Sequence, residues 1–328
     1  MSSVLVTGAA GFVGSHLARA LLSRGERVIG VDNLSPFYDP ALKERRLAWI
    51  AALGKGSFDF HRLDLTDAAA IAHLVGTGEV DRVVHLGAQA GVRWSLEAPF
   101  AYTESNVTGH LSLLEAVRRA KGHVRHVVYA SSSSVYGSRT NGPFHESDRV
   151  DQPTSLYAAT KIADELMSGL YSRLFDLPVT GLRLFSVYGP WGRPDMAYWL
   201  FTKAIVERRP IELFNEGRME RDFTYIDDIV AGITAVLDMP AAAGEHRLYN
   251  LGNSRPEPLM KLVATLERLL DTEAIKVLKP MQSVDVPSTY ADISAIQRDF
   301  NWAPATDLET GLARFVEWWH DYARVSDA

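Results

Sequence analysis

The segment "LYAATK" (156–161) sets Tyr157 and Lys161 four positions apart, which on a helix puts both on one face about one turn from each other. A free phenol titrates near pKa 10 and is a poor base at neutral pH, but a neighbouring ammonium favours the phenolate. Such a pair could therefore take a proton from a substrate hydroxyl. The ordinary alternative is a half-buried ring beside a solvated amine. Two other stretches carry chemistry of their own. "ASSSSVYG" (130–137) ends an apolar run in consecutive serines, a set of hydroxyls that could bind an oxygen or merely cap a strand. "TGAAGFVG" (7–14) supplies Gly8, Gly11 and Gly14 between an expected strand and an expected helix. There Gly8 permits a tight turn, Gly11 lets backbone approach a pyrophosphate, and Gly14 lets helix pack on strand.

These groups need a frame. Short apolar runs at 4–8, 27–33, 58–65, 81–88, 126–134 and 179–189 read as strands, and amphipathic stretches between them read as helices. Among the helices are "NVTGHLSLLEAVRRAKG" and "YAATKIADELMSGLYSRLF". That rhythm implies right-handed crossovers and an α/β fold, a doubly wound, mostly parallel sheet of the Rossmann type. After residue 186 the texture changes: Pro and Gly crowd "YGPWGRPDMA", "WLFTKAIVERR" reads as a helix, "FNEGRMERDF" as a basic turn, and "TYIDDIVAGITAVLDMP" as another helix. We expect a nucleotide-binding domain over 1–185 with a returning segment at about 222–252. A smaller mixed α/β lobe, 186–221 and 253–328, would cap the end of the sheet where open α/β folds bind ligands.

The 328 residues are 47% hydrophobic with a formal net charge of −6, enough for a large core and against general binding to nucleic acid or an anionic membrane. There is no cysteine, which excludes disulfides, thiolate metal sites and cysteine nucleophiles, and no metal site is expected. Met1 leads directly into an apolar strand and no run is long enough to span a bilayer, so the expectation is a soluble, cytoplasmic protein without membrane partners.

Asp32, on the strand after the glycine loop, is placed to accept from an adenosine ribose and to repel a 2′-phosphate, which favours NAD over NADP. Its alternative is a turn residue with Asn33. Asp64 in "RLDLTD" could accept from an adenine amino group or cap a helix.

With "YAATK" and the hydroxyl-rich strand end, the chain resembles the extended short-chain dehydrogenase/reductase family. The likeness runs through "HLGAQAG" (85–91), "SNVTG" (105–109), "ASSSSVYG", "LYAATK" and "FTYIDDI" (223–229). It implies a catalytic Ser132, Tyr157 and Lys161, with Lys161 also holding the nicotinamide ribose. It implies cofactor contacts from Gly8, Gly11, Phe12 and Val13, from Asp32 and Asn33, and from Asp64 and Leu65. Leu86, Ala88 and Ala130 complete that set. Asn106, at the family's N-x-x-G position, would order the adjacent helix, or simply cap it.

Dehydratases of the family carry an Asp-Glu pair after the catalytic Ser/Thr, and decarboxylating relatives a Glu before Val-Tyr-Gly. Ser133 and Ser134 stand there instead, which leaves redox-neutral epimerisation at C4 of a nucleotide sugar. "FSVYGPWGRPDMA" (185–197), "AGVRWSLEAP" and "DRVDQPTSLYAATK" resemble the UDP-glucuronic acid 4-epimerases, which interconvert UDP-glucuronic and UDP-galacturonic acid. That resemblance implies a uronate carboxylate among Ser133, Ser134 and Ser186, with Arg193 from the loop. Ser186 replaces the usual Thr, and Arg193 could instead close its loop by a salt bridge. Basic residues of the second lobe, Lys203, Arg218 and Arg221, would attract the UDP phosphates. Gln282 and Asp285, in "QSVDVPSTYAD", would meet the uridine ribose, although Ser283-Val284 replaces the usual Pro-Gly. Arg93 could reach the sugar or serve structure. Open alternatives are a UDP-glucose or UDP-N-acetylglucosamine 4-epimerase, a UDP-glucuronate decarboxylase, and a non-catalytic NAD-binding relative. By the same analogy the partners are a UDP-sugar and a second copy of the chain, forming a homodimer.

Overall fold

The computed structural model describes residues 3–54, 57–120, 122–139, 142–282 and 285–326. Residues 3–132 alternate strand and helix: β1 (Ser3–Thr7), α1 (Phe12–Ser23), β2 (Arg27–Asp32), α2 (Pro40–Ala51), β3 (Ser57–Arg62), α3 (Ala68–Gly76), β4 (Arg82–His85). A short α4 (Pro99–Tyr102) leads through a π-helical turn into α5 (Gly109–Arg119), then β5 (His126–Ser132), α6 (Leu156–Phe175) and β6 (Val179–Leu184). These strands and a late one, β10 (His246–Leu251), form one seven-stranded sheet in the order β10-β6-β5-β4-β1-β2-β3. Every pair in it is parallel. The strand order reverses between β1 and β4, and in such sheets a crevice opens there beyond the carboxyl ends of the strands. Both faces are covered: along β1, Val4 and Val6 join one apolar core and Leu5 the other, as the two-residue period of a strand requires.

The run 179–189, expected as one strand, is two. β6 stays in the main sheet, Phe185 turns the chain while donating its N–H to Leu251 O at 3.2 Å, and β7 (Ser186–Tyr188) enters a second sheet. An unbroken apolar run carries no mark of a change of sheet, which is why the break was not foreseen. The expected turn over 214–223 is also corrected. A 3-10 turn at Phe214–Gly217 gives way to β9 (Glu220–Tyr225), and α8 (Ile226–Leu237) starts two residues later than its pattern suggested. The charges of β9 disguised it. Asp222 is fully buried, and its carboxylate accepts from the Ser254 and Ala291 amides at 3.0 Å each.

The remaining elements are α7 (Ala197–Val206), β8 (Pro210–Leu213), β11 (Pro256–Pro258), α9 (Leu259–Leu269), β12 (Ile275–Leu278), β13 (Ser288–Thr289), α10 (Ser294–Phe300) and α11 (Leu308–Ser326). β9 is the hub of the second sheet, pairing with β11, β13 and β7. Among the described residues no helix is long and apolar enough to cross a membrane.

Candidate active site

The glycine loop joins β1 to α1. Gly8 has φ +71°, and a Cβ there would lie 2.8 Å from Gly87 N. A Cβ on Gly11 or Gly14 would lie 2.9 or 2.0 Å from Gly8 O, so both positions need a bare backbone. Gly11 is the N-cap of α1 and offers no side-chain acceptor, so the helix's first amides are left to a ligand. A pyrophosphate fits that cradle.

Asp32 ends β2, buried. Its carboxylate accepts from Leu34 N at 2.8 Å, Ala10 N at 3.2 Å and Lys43 Nζ at 3.2 Å. The turn-residue alternative is therefore realised in part, and the buried Lys43 of α2 adds a cation the sequence reading missed. Asn33 donates to Asp64 Oδ2 at 2.8 Å, while Asp64 Oδ1 accepts from Thr66 N and Oγ1 at 2.9 and 2.7 Å. Burial would raise the Asp64 carboxyl, but the Asn33 and Thr66 bonds outweigh it and hold the group below its ordinary range. The cap of α3 is Asp67, not Asp64.

α6 starts cleanly because Ser155 caps it, accepting from Ala158 N at 3.1 Å. That fixes Tyr157 on the cavity side, its ring edge-on to Tyr102 at 6.1 Å. Tyr102 is no rival base: burial pushes its phenol up to about 12, and it donates to Ala90 O at 2.9 Å. The Lys161 ammonium, 4% exposed, donates to Ala130 O at 3.0 Å and Asp164 Oδ2 at 3.1 Å. Of the four serines, Ser131 turns inward to Glu165 at 2.6 Å. Ser132 Oγ accepts from Ser134 N at 3.2 Å and starts the 3-10 turn that carries Ser133 and Ser134 along the cavity wall. Asn106 is buried, and its amide exchanges bonds with the Gln89 backbone and donates to Thr160 Oγ1 at 2.9 Å. It ties the strand-end loop to α6.

One cavity of about 1230 Å³ runs from the glycine loop to β9. Its walls include Gly8, Gly11, Phe12, Val13, Asp32, Asn33, Asp64, Leu65, Leu86, Ala88 and Ala130 at the cofactor end. Ser132, Ser133, Ser134, Tyr157 and Lys161 stand in the middle, and Arg93, Ser186, Arg193, Lys203, Arg221, Gln282 and Asp285 beyond them. The structure thus brings these positions together. Arg218 is not among them: its side chain is 73% exposed and pairs with Glu216 at 2.7 Å. Ser283 and Val284 lie outside the described residues.

The charged groups at the far end are already paired. Arg193 makes the loop salt bridge given as its alternative, with Nε 3.0 Å from Asp195 Oδ1; burial opposes its charge, and Asp195 overrides that and raises the pKa. Arg93 spans to Asp285 at 2.8 Å and lies 4.4 Å over the Phe214 ring, linking three parts of the cavity wall. Arg221 donates to Glu220 O at 2.7 Å, and burial lowers its pKa. Lys203 reaches Glu207 at 4.0 Å and stays half-exposed. Arg46 was missed altogether: fully buried, it donates to Ala10 O, Gly192 O and the Tyr38 hydroxyl, tying the glycine loop to the 189–197 loop.

A parallel sheet with a bare glycine loop at its switch point and a tyrosine–lysine helix beside it defines a dinucleotide-binding fold of the dehydrogenase/reductase type. Residues 4–252 match the model of the NAD dependent epimerase/dehydratase family, and the chain belongs to that family. It is 46% identical to UDP-glucuronate 4-epimerase 2 of Arabidopsis thaliana over 98% of this chain and 76% of the relative. It is 44% identical to Protein CapI of Staphylococcus aureus over 97% of this chain and 98% of the relative. Among solved structures it is similar to UDP-glucuronic acid 4-epimerase from Bacillus cereus, in complex with UDP-glucuronic acid and NAD. The TM-score there is 0.90 at 32% identity, over 98% of this chain and 99% of that one.

Proposed function

We propose that this protein is an NAD-dependent UDP-glucuronate 4-epimerase, interconverting UDP-glucuronic and UDP-galacturonic acid through a transient 4-keto sugar. The observation that carries this reading is the middle of the cavity. Tyr157 and Lys161 stand there beside Ser132, Ser133 and Ser134, with no carboxyl group in that segment to drive dehydration. The similarity to UDP-glucuronate 4-epimerases supports the substrate.

NAD, when bound, supplies the acceptor and donor of the C4 hydride. The cradle of Gly8, Gly11 and the α1 amides would hold its pyrophosphate, and Asp32 its adenosine ribose. Tyr157 takes the proton of the 4-hydroxyl and later returns one to the 4-keto oxygen. Lys161 stabilises the ionised phenol and holds the nicotinamide ribose, and Ser132 donates to the reacting oxygen. Ser133, Ser134 and Ser186 bind the uronate carboxylate as neutral donors. Arg193 joins them by sharing its fork between Asp195 and the substrate. Lys203 and Arg221 face the two phosphates, and Gln282 and Asp285 the uridine ribose.

A second reading, a neutral-C6 sugar such as UDP-glucose, draws on one observation: Asp195 already neutralises Arg193. Incubating the protein separately with UDP-glucuronate and UDP-glucose and resolving products by NMR decides between them. Conversion of the uronate at the higher kcat/KM upholds the proposal, and faster conversion of UDP-glucose replaces it.

We also propose a cytoplasmic homodimer and retain the two-lobe division given above. Leu111 on α5 and Leu166, Leu170 and Leu174 on α6 are exposed, the last three at four-residue spacing, and this stripe supports pairing of those helices.

A further inference from the structure

Lys161 is almost wholly buried, and a buried ammonium needs a hydrogen-bonding partner. Asp164 supplies it from one helical turn further on, with its side chain 1% exposed. Only one of its oxygens is engaged: Oδ2 takes the Lys161 bond, and Oδ1 has no hydrogen-bond partner among the described residues. Asp164 does not line the cavity and touches no part of the substrate path.

Resting on the epimerase reading, we propose that Asp164 is the positioning residue of Lys161, and that its protonation state sets how much of the ammonium's field reaches Tyr157. Ionised, the carboxylate draws the ammonium toward itself, away from the phenol, and cancels part of its charge. Protonated, it leaves that charge to act on Tyr157.

The surroundings allow this to happen in a useful range. On its own helix Asp164 faces Lys161, which favours the carboxylate, and Glu165, which opposes it. His110 of α5 and Tyr129 of β5 also lie against it, and burial keeps the imidazole and the phenol neutral. Burial pushes the Asp164 carboxyl up to about 6, against the pull of Lys161.

The test is the pH dependence of kcat for UDP-glucuronate with NAD bound, in wild type and Asp164→Asn. The amide keeps the shape and the bond to Lys161 but carries no charge. In the wild type the acid limb should descend less steeply below pH about 6. In Asp164→Asn that inflection should vanish and the limb lie to the acid side by up to about one unit, with KM for the sugar unchanged. A residue needed only for packing would lower kcat equally at all pH. Superimposable profiles, or a shift to the alkaline side, overturn the proposal. If the variant does not fold, a wild-type limb without an inflection near 6 overturns it. Failure to epimerise any UDP-sugar would instead sink the epimerase reading, so the two are separable.

Discussion

The same carboxyl group makes a quantitative prediction about stability. Asp164 is held at about 6 in the folded chain against an ordinary 3.8, with burial as the main cause. A folded pKa raised above the unfolded one means that the native state binds the proton more tightly. Its contribution is fully present below pH about 4 and is lost as pH rises through about 6. A gap of about two units at 1.36 kcal/mol each is worth roughly 3 kcal/mol. Asp164→Asn never ionises, so it escapes that loss and should be the more stable protein at neutral pH. Unfolding entropy near 2.1 cal/mol/K per residue gives roughly 0.7 kcal/mol/K for a chain of 328 residues, so the variant should melt about 4 °C higher at pH 7.5. The two proteins should converge at pH 4. Thermal melts followed by circular dichroism between pH 4 and 8, with saturating NAD, measure the difference directly. A melting difference independent of pH, or a variant less stable at pH 7.5, would refute the reasoning. Either result would mean that the Lys161 pairing outweighs the burial of the carboxylate.

Gly14→Ala puts a methyl 2.0 Å from Gly8 O, and relieving that overlap should cost about 1–3 kcal/mol or more and abolish NAD binding by calorimetry. Wild-type affinity would show that the loop tolerates a side chain and is not the pyrophosphate cradle. Tyr157→Phe should keep NAD and UDP-sugar binding while turnover falls by about 10²–10⁴-fold; near-normal turnover would make the tyrosine structural. Oxidising C4 of a uronic acid creates a β-keto acid poised to lose carbon dioxide, and hydroxyl donors that pin the charged carboxylate oppose that loss by about 1.5–3 kcal/mol each. Ser133→Ala or Ser186→Ala should therefore slow epimerisation and raise the share of UDP-4-keto-pentose by mass spectrometry. An unchanged product ratio in both variants would mean that the carboxylate binds elsewhere.

What the sequence made legible lies within single connections of the chain. Gly8, Gly11 and Gly14 sit in one strand-to-helix turn, and Tyr157 and Lys161 on one helix, so spacing alone places each set. What it concealed depends on packing between distant segments. Arg93 and Asp285 are 192 residues apart and meet only in the folded chain. Lys43 finds Asp32 through the docking of α2, and Arg46 reaches Gly192 across 146 residues. β9 went unread because its Glu, Arg and Asp imitate a turn, although Asp222 spends its charge on buried backbone amides. Asp164 is the exception, since its three-residue spacing from Lys161 was visible and could have flagged a partner.

In the proposed reaction C4 loses and regains the same hydride inside one cavity, with no net exchange of reducing equivalents. The most direct measurement is turnover of UDP-glucuronate carrying deuterium at C4, in ordinary water and with unlabelled NAD bound to the protein. UDP-galacturonate should retain the deuterium at C4, without stoichiometric growth of absorbance from NADH. Product with hydrogen at C4, or NADH accumulating in step with sugar consumed, would contradict it.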